Sequence, residues 1–82
     1  LTVLHQVHGA TVRRAETTPE TAELLPGDGL IAARAEGQRR LIGVRTADCL
    51  PVLIRSGNLV GAVHAGWRGV AAGIIELALR QI

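Results

Sequence analysis

At 82 residues the chain is one domain at most, and a chain of this size buries only about 60–70% of the surface its unfolded form exposes, so a thin core is expected. With no Phe, Tyr or Met and a single Trp, aliphatic residues and Ala must supply nearly all the burial. The net charge of +2 comes from scattered arginines, adjacent only at Arg13-Arg14 and Arg39-Arg40, and one aromatic residue gives base stacking little to work with, which sets nucleic-acid binding aside.

Residues 1–12, LTVLHQVHGATV, are rich in β-branched side chains and read as a strand with a break at Gly9. Alternation then puts Val3, His5 and Val7 on one face and Leu4, Gln6 and His8 on the other. Residues 13–27 are polar and read as a surface excursion, with Thr17-Thr18-Pro19-Glu20 as a helix start and Pro26-Gly27 as the stop. Asp28, between two glycines, reads as a turn residue that feeds a short strand at Leu30-Ile31-Ala32. A turn at residues 35–38 leads to a further strand over residues 40–44.

The apolar runs 50–54 and 59–64 flank Arg55-Ser56-Gly57-Asn58, a four-residue hairpin loop by composition. If Ile54 faces Leu59, Cys49 lies directly across from His64, with Cβ atoms about 4.5–5.5 Å apart. Pro51 removes one ladder donor, so this strand is expected at a sheet edge or bulge. After Ala65-Gly66-Trp67-Arg68-Gly69, residues 70–82 read as one helix in which Val70, Ile74, Leu77 and Ala78 share a stripe and Glu76 stands four residues before Arg80.

A single cysteine excludes an internal disulfide and fits a reducing compartment, so a cytoplasmic location is expected. No apolar run reaches the roughly 20 residues of a membrane-spanning helix. The chain begins at Leu1 without a methionine and stops at Ile82 inside a helical pattern, so residues 1–82 are expected to be the central part of one longer domain.

His8, Cys49 and His64 are the ligand types that Zn²⁺ takes when a fourth position stays open. Spacing alone leaves two other readings: a small buried thiol among hydrogen-bonded core histidines, or a Cys49 nucleophile with His64 as its base. The glycine-rich turn at residues 65–69 fits either an anion site, with Gly66 and Trp67 beside the ligand and Arg68 adding charge, or a plain turn with Trp67 plugging the core. Asp48 is a candidate proton carrier beside Cys49 or a cap of the Thr46-Ala47-Asp48 turn. His5 reads as structural.

The motifs QVHG (6–9), DGLI (28–31), TADCLPVL (46–53) and HAGWRG (64–69) closely resemble the YfiH-like family, long labelled polyphenol oxidase or laccase domain proteins. The resemblance implies a three-layer α/β fold, a mixed and partly antiparallel sheet with helices packed on it, of which this chain is a fragment. It also implies that His8, Cys49 and His64 hold zinc, rather than the several copper centres of a polyphenol oxidase, for which three good ligands are too few. The activity implied is purine nucleoside phosphorolysis of adenosine, inosine, guanosine and methylthioadenosine, together with adenosine deamination. Purine nucleoside and phosphate are then the partners, with Arg45 and Arg68 as phosphate-binding candidates and Asp48 and Cys49 as catalytic ones. The alternatives are a Cys-His hydrolase or amidase acting on a peptidoglycan precursor, and a non-catalytic nucleoside-binding module.

Overall fold

The computed structural model describes residues 1–17, 24–33, 41–47 and 49–82. Among them four strands form one sheet, β1 (Val12–Arg14), β2 (Gly29–Ala33), β3 (Leu50–Ser56) and β4 (Leu59–Ala65), in the spatial order β1-β2-β4-β3. β1 runs parallel to β2, and the pairs β2–β4 and β3–β4 are antiparallel, so the sheet is mixed. A 3-10 turn, Ala15–Thr17, follows β1, and two helices, α1 (Trp67–Ala71) and α2 (Ile74–Gln81), follow β4. This is the α/β architecture expected, with a mixed and partly antiparallel sheet.

β2 is buried on both faces, which is why Leu-Ile-Ala-Ala carries no polar alternation there. Leu30 and Ala32 point to one face, where Leu4 and Ala15 cover them. On the other face Val63 packs against Ile74 and Ala78 of α2. Leu30, Ile31, Val63 and Ile74 are all 0–1% exposed. At about 1.5–3 kcal/mol for each such side chain, β2, β4 and α2 are the energetic centre. β3 lies at the sheet's edge, where Pro51 is tolerated because an edge strand has a side without ladder bonds.

Residues 1–12 do not form the continuous strand expected of them. They make two isolated bridges, Thr2 with Ile42 and His5 with Pro26, and only Val12 joins a strand. The backbone donors of the segment find partners elsewhere: the His5 N–H donates to Leu25, and those of Val7, His8 and Gly9 donate to the Asp28 carboxylate. The polar excursion is likewise corrected at its start, because Val12–Arg14 is β1 and Ala15 is buried. The expected strand at 40–44 survives within 41–44 as the single bridge at Ile42. The helix start around Thr18-Pro19-Glu20, the turn at 35–38 and Arg40 lie outside the described residues.

The hairpin forms with a register displaced by two residues. Ser56 pairs with Leu59, Pro51 with His64 and Leu50 with Ala65, so the loop is Gly57-Asn58 rather than four residues. Gly57, at φ 56, supplies the positive dihedral that two-residue hairpin turns favour at that position. A displacement of two leaves every side chain on its expected face, because the strand period is two. Cys49 therefore stays on the face of His64, one step beyond the paired residues and opposite Gly66.

The C-terminal helix is two helices. Gly73 adopts a left-handed φ of 85 and ends α1, and α2 restarts at Ile74. Glycine enters that region without the Cβ penalty other residues meet. The expected stripe splits accordingly: Ile74 and Ala78 are buried beneath the sheet, while Val70 and Leu77 are exposed.

Candidate metal centre

The centre begins with a cross-strand pair. Extending the β2–β4 register one step past Gly29 and Val63 sets Asp28 opposite His64, and the His64 N–H donates to the Asp28 carbonyl at 2.6 Å. On the same face, His64 Nδ1 lies 2.7 Å from Asp28 Oδ2. Both residues are buried, at 3% and 1% exposure.

The Asp28 carboxylate also accepts the backbone N–H groups of Val7 at 3.1 Å, His8 at 3.0 Å and Gly9 at 3.0 Å. Burial opposes its charge, but the hydrogen bonds from His64, Val7, Gly9 and His8 outweigh burial and hold its pKa below the usual carboxylate value. The same bonds fix His8 at φ 60, a left-handed conformation that L-residues avoid at a cost of about 1–2 kcal/mol. Beside it, the Gln6 side-chain amide donates to the Arg45 carbonyl at 2.7 Å and accepts the Arg45 N–H at 2.6 Å. The 6–9 turn is thereby tied to the segment that leads into Cys49.

The potential ligand atoms of His8, Cys49 and His64 all lie within 4.8 Å of one another. Ligand atoms on one tetrahedral ion stand roughly 3.5 Å apart, given bond lengths of about 2.0–2.3 Å, so the three are within reach of a single cation. The two imidazole rings meet edge to face, with centroids 5.0 Å apart. Because Asp28 engages Nδ1 of His64, Nε2 is the nitrogen left to bind.

Gly66 provides the room. A Cβ at that position would stand 3.3 Å from Cys49 Sγ, 3.3 Å from His8 Nδ1 and 3.5 Å from His64 Cε1. The space of the missing side chain thus opens onto all three ligand-bearing groups, and a soft thiolate with two imidazoles is a donor set that suits zinc. These residues fit a metal ion.

Next to this cradle is a cleft of about 630 Å³ lined by Cys49, Leu50, Ala65, Gly66, Trp67, Val70 and Ala71. Trp67 lines it and is 77% exposed, which corrects the reading of Trp67 as a core plug. The Arg68 guanidinium lies 5.2 Å from the Trp67 ring centroid, within cation–π range. α1 begins at Trp67, directly after Gly66, and is five residues long, with no side-chain hydrogen bond capping its start. In the turn before Cys49, the Thr46 hydroxyl donates to the Cys49 carbonyl at 2.7 Å. Asp48 lies outside the described residues.

Two residues that hold this cluster together, Asp28 and Gln6, stand in the motifs DGLI and QVHG but were given no such role by the sequence. Asp28 was hidden by its glycine neighbours, which read as a turn, and Gln6 by lying in a segment read as strand. In both cases the partner is far along the chain, at 36 residues for Asp28–His64 and 39 for Gln6–Arg45.

A family model described as multi-copper polyphenol oxidoreductase laccase matches residues 1–82. The chain belongs to this laccase-domain, YfiH-like family. Among its curated relatives are a protein of Pseudomonas aeruginosa named purine nucleoside phosphorylase PA4543, 44% identical over 81 residues, and Escherichia coli purine nucleoside phosphorylase YfiH, 40% identical over 75 residues. These alignments cover 96% and 89% of this chain but 31% and 29% of the relatives. The crystal structure of YlmD from Geobacillus stearothermophilus superposes with a TM-score of 0.76 at 34% identity, covering 96% of this chain and 32% of that one. Neisseria meningitidis protein NMB0706 gives 0.67 at 33%, covering 98% and 32%. The laccase-domain chain thus spans about 30% of the length of these relatives.

Proposed function

We propose that this laccase-domain chain carries the zinc-binding part of a purine nucleoside phosphorylase acting on adenosine, inosine, guanosine and methylthioadenosine, with adenosine deaminase activity. The observation that supports it most is the convergence of His8, Cys49 and His64 around the open side of Gly66, in a chain similar to proteins named purine nucleoside phosphorylase. Zinc, when bound, supplies a Lewis acid with an open fourth position.

The chain's own residues prepare that position. Asp28 orients the His64 ring and leaves Nε2 bare. The cleft beside Gly66 offers Leu50, Trp67 and Val70 as apolar walls for a flat purine base. Arg45 and Arg68 supply positive charge for phosphate, whose oxygen bonds to the ribose anomeric carbon as the bond from that carbon to the base breaks. Asp48, adjacent to Cys49 in sequence, is the proposed proton carrier for deamination. Among the described residues a single three-ligand cluster is present, which favours one metal ion over several copper centres.

Incubating the intact, zinc-loaded protein with adenosine and phosphate tests this reading. Adenine with ribose 1-phosphate, plus inosine and hypoxanthine from deamination, is the expected product set; unchanged adenosine would refute it. A second reading is favoured by one observation: Cys49, His64 and Asp28 also present the thiol, imidazole and carboxylate of a cysteine hydrolase. A metal-free enzyme that becomes acylated on Cys49 by an amide substrate would establish that reading instead.

A further inference from the structure

We propose that Asp28 is the positioning residue of the metal centre, a single carboxylate that sets which nitrogen of His64 is bare and holds the backbone turn that carries His8. The inference rests on the metal reading above for its consequence, but not for its geometry.

Four donors converge on this side chain. Oδ1 accepts the N–H groups of Val7 and Gly9, and Oδ2 accepts the N–H of His8 and faces Nδ1 of His64. Three of these donors are backbone amides, so they are fixed as donors whatever the conditions. The fourth position belongs to an imidazole, which offers a hydrogen to a carboxylate and leaves its other nitrogen as a lone pair.

No other side chain of similar size can accept all four. An Asn with its NH₂ toward His64 would donate to Nδ1, which moves the ring hydrogen to Nε2 and removes the lone pair that binds metal. The flipped amide would point its NH₂ at the Val7 and Gly9 donors instead. Either way one arm of the centre is lost. Cys49 is linked to Asp28 less directly: its carbonyl accepts the Thr46 hydroxyl, and the segment leading into it pairs through Arg45 with the Gln6 side chain. Asp28 therefore ties together directly two ligands from distant parts of the chain.

Two measurements on the intact protein, wild type and Asp28→Asn, test this at one fixed pH. Long-range ¹⁵N–¹H correlation on the metal-free protein reads the His64 tautomer, which a merely structural aspartate would not set. Cobalt titration, followed by visible absorption, reads the metal site. The expected wild-type spectrum shows the hydrogen on Nδ1 and a bare Nε2. In Asp28→Asn the hydrogen moves to Nε2 and cobalt affinity falls about 10–100-fold, while the thiolate-to-cobalt band persists at saturation.

A wild-type His64 with its hydrogen on Nε2, or an Asp28→Asn protein that binds cobalt as tightly as wild type, would overturn the proposal. If the variant fails to fold, the wild-type tautomer decides alone. Failure of the wild type to take up cobalt would instead refute the metal reading, and the tautomer would still decide the role of Asp28.

Discussion

Two arms of the molecule meet at the candidate metal centre, and they are held by different means. The β3–β4 hairpin brings His64, with Cys49 one step beyond its end, on a continuous antiparallel ladder from Leu50–Ala65 to Ser56–Leu59. The 6–9 turn brings His8 without a ladder, its amides gathered by one carboxylate and its Gln6 side chain clamped to Arg45. A ladder is made by the backbone and survives most substitutions. The turn depends on two side chains, so the same ligand cluster has one robust arm and one fragile arm.

The largest way to separate them is Asp28→Ala. It strands three amides and a buried imidazole nitrogen, and breaking a buried, charge-assisted group of this kind costs roughly 3–5 kcal/mol. Urea denaturation should show that loss, and hydrogen exchange should show the Val7, His8 and Gly9 amides opening before the hairpin. Equal exposure of both arms would erase the distinction.

Gly69→Ala comes next. Its Cβ would stand 2.8 Å from the Gly9 carbonyl oxygen, pressing α1 off the turn, and overpacking of this kind costs about 1–3 kcal/mol. Faster exchange confined to the 6–9 turn is the expected signature.

Gly57→Ala strikes the other arm. A non-glycine residue at φ 56 costs about 1–2 kcal/mol, and with nothing within 4 Å of the new Cβ no packing is disturbed. Thermal unfolding should record the loss while metal affinity stays within about twofold, since the strain amounts to a local conformational cost.

Acid should act on both carboxylates that the fold favours ionised. Burial opposes the charge of Glu16 as it does that of Asp28, but the Ala33 N–H and Arg14 outweigh it and lower the Glu16 pKa. A carboxylate with a lowered native pKa adds stability that is complete above its ordinary value of about 4 and lost as pH falls through the native one. Unfolding free energy measured by urea should therefore hold steady at neutral pH and decline below about 4.

How far the sequence reveals this contrast follows from the same physics. The hairpin is local, so its two apolar runs were legible, and a loop misjudged by two residues cost nothing because strand faces repeat every two. The helix break was missed because the apolar stripe runs on through Gly73, and composition does not reveal its left-handed φ. His8 could be joined to Cys49 and His64 only through resemblance to known motifs, since a long-range carboxylate-to-amide tether leaves no periodic trace. The Asp28–His64 pair depends on β2 lying beside β4, a neighbourhood that tertiary assembly decides.

The most direct test of the centre itself is metal content of the intact protein compared with Gly66→Ala. The glycine has φ −76 and ψ 166, open to any residue, so the backbone admits the change, while the new methyl group, 3.3 Å from Cys49 Sγ and from His8 Nδ1, presses the ligand groups themselves. One zinc per wild-type chain and none in the variant, with both folded, is the predicted result. A folded Gly66→Ala protein that binds zinc as the wild type does, or a wild type that binds none, would contradict the account.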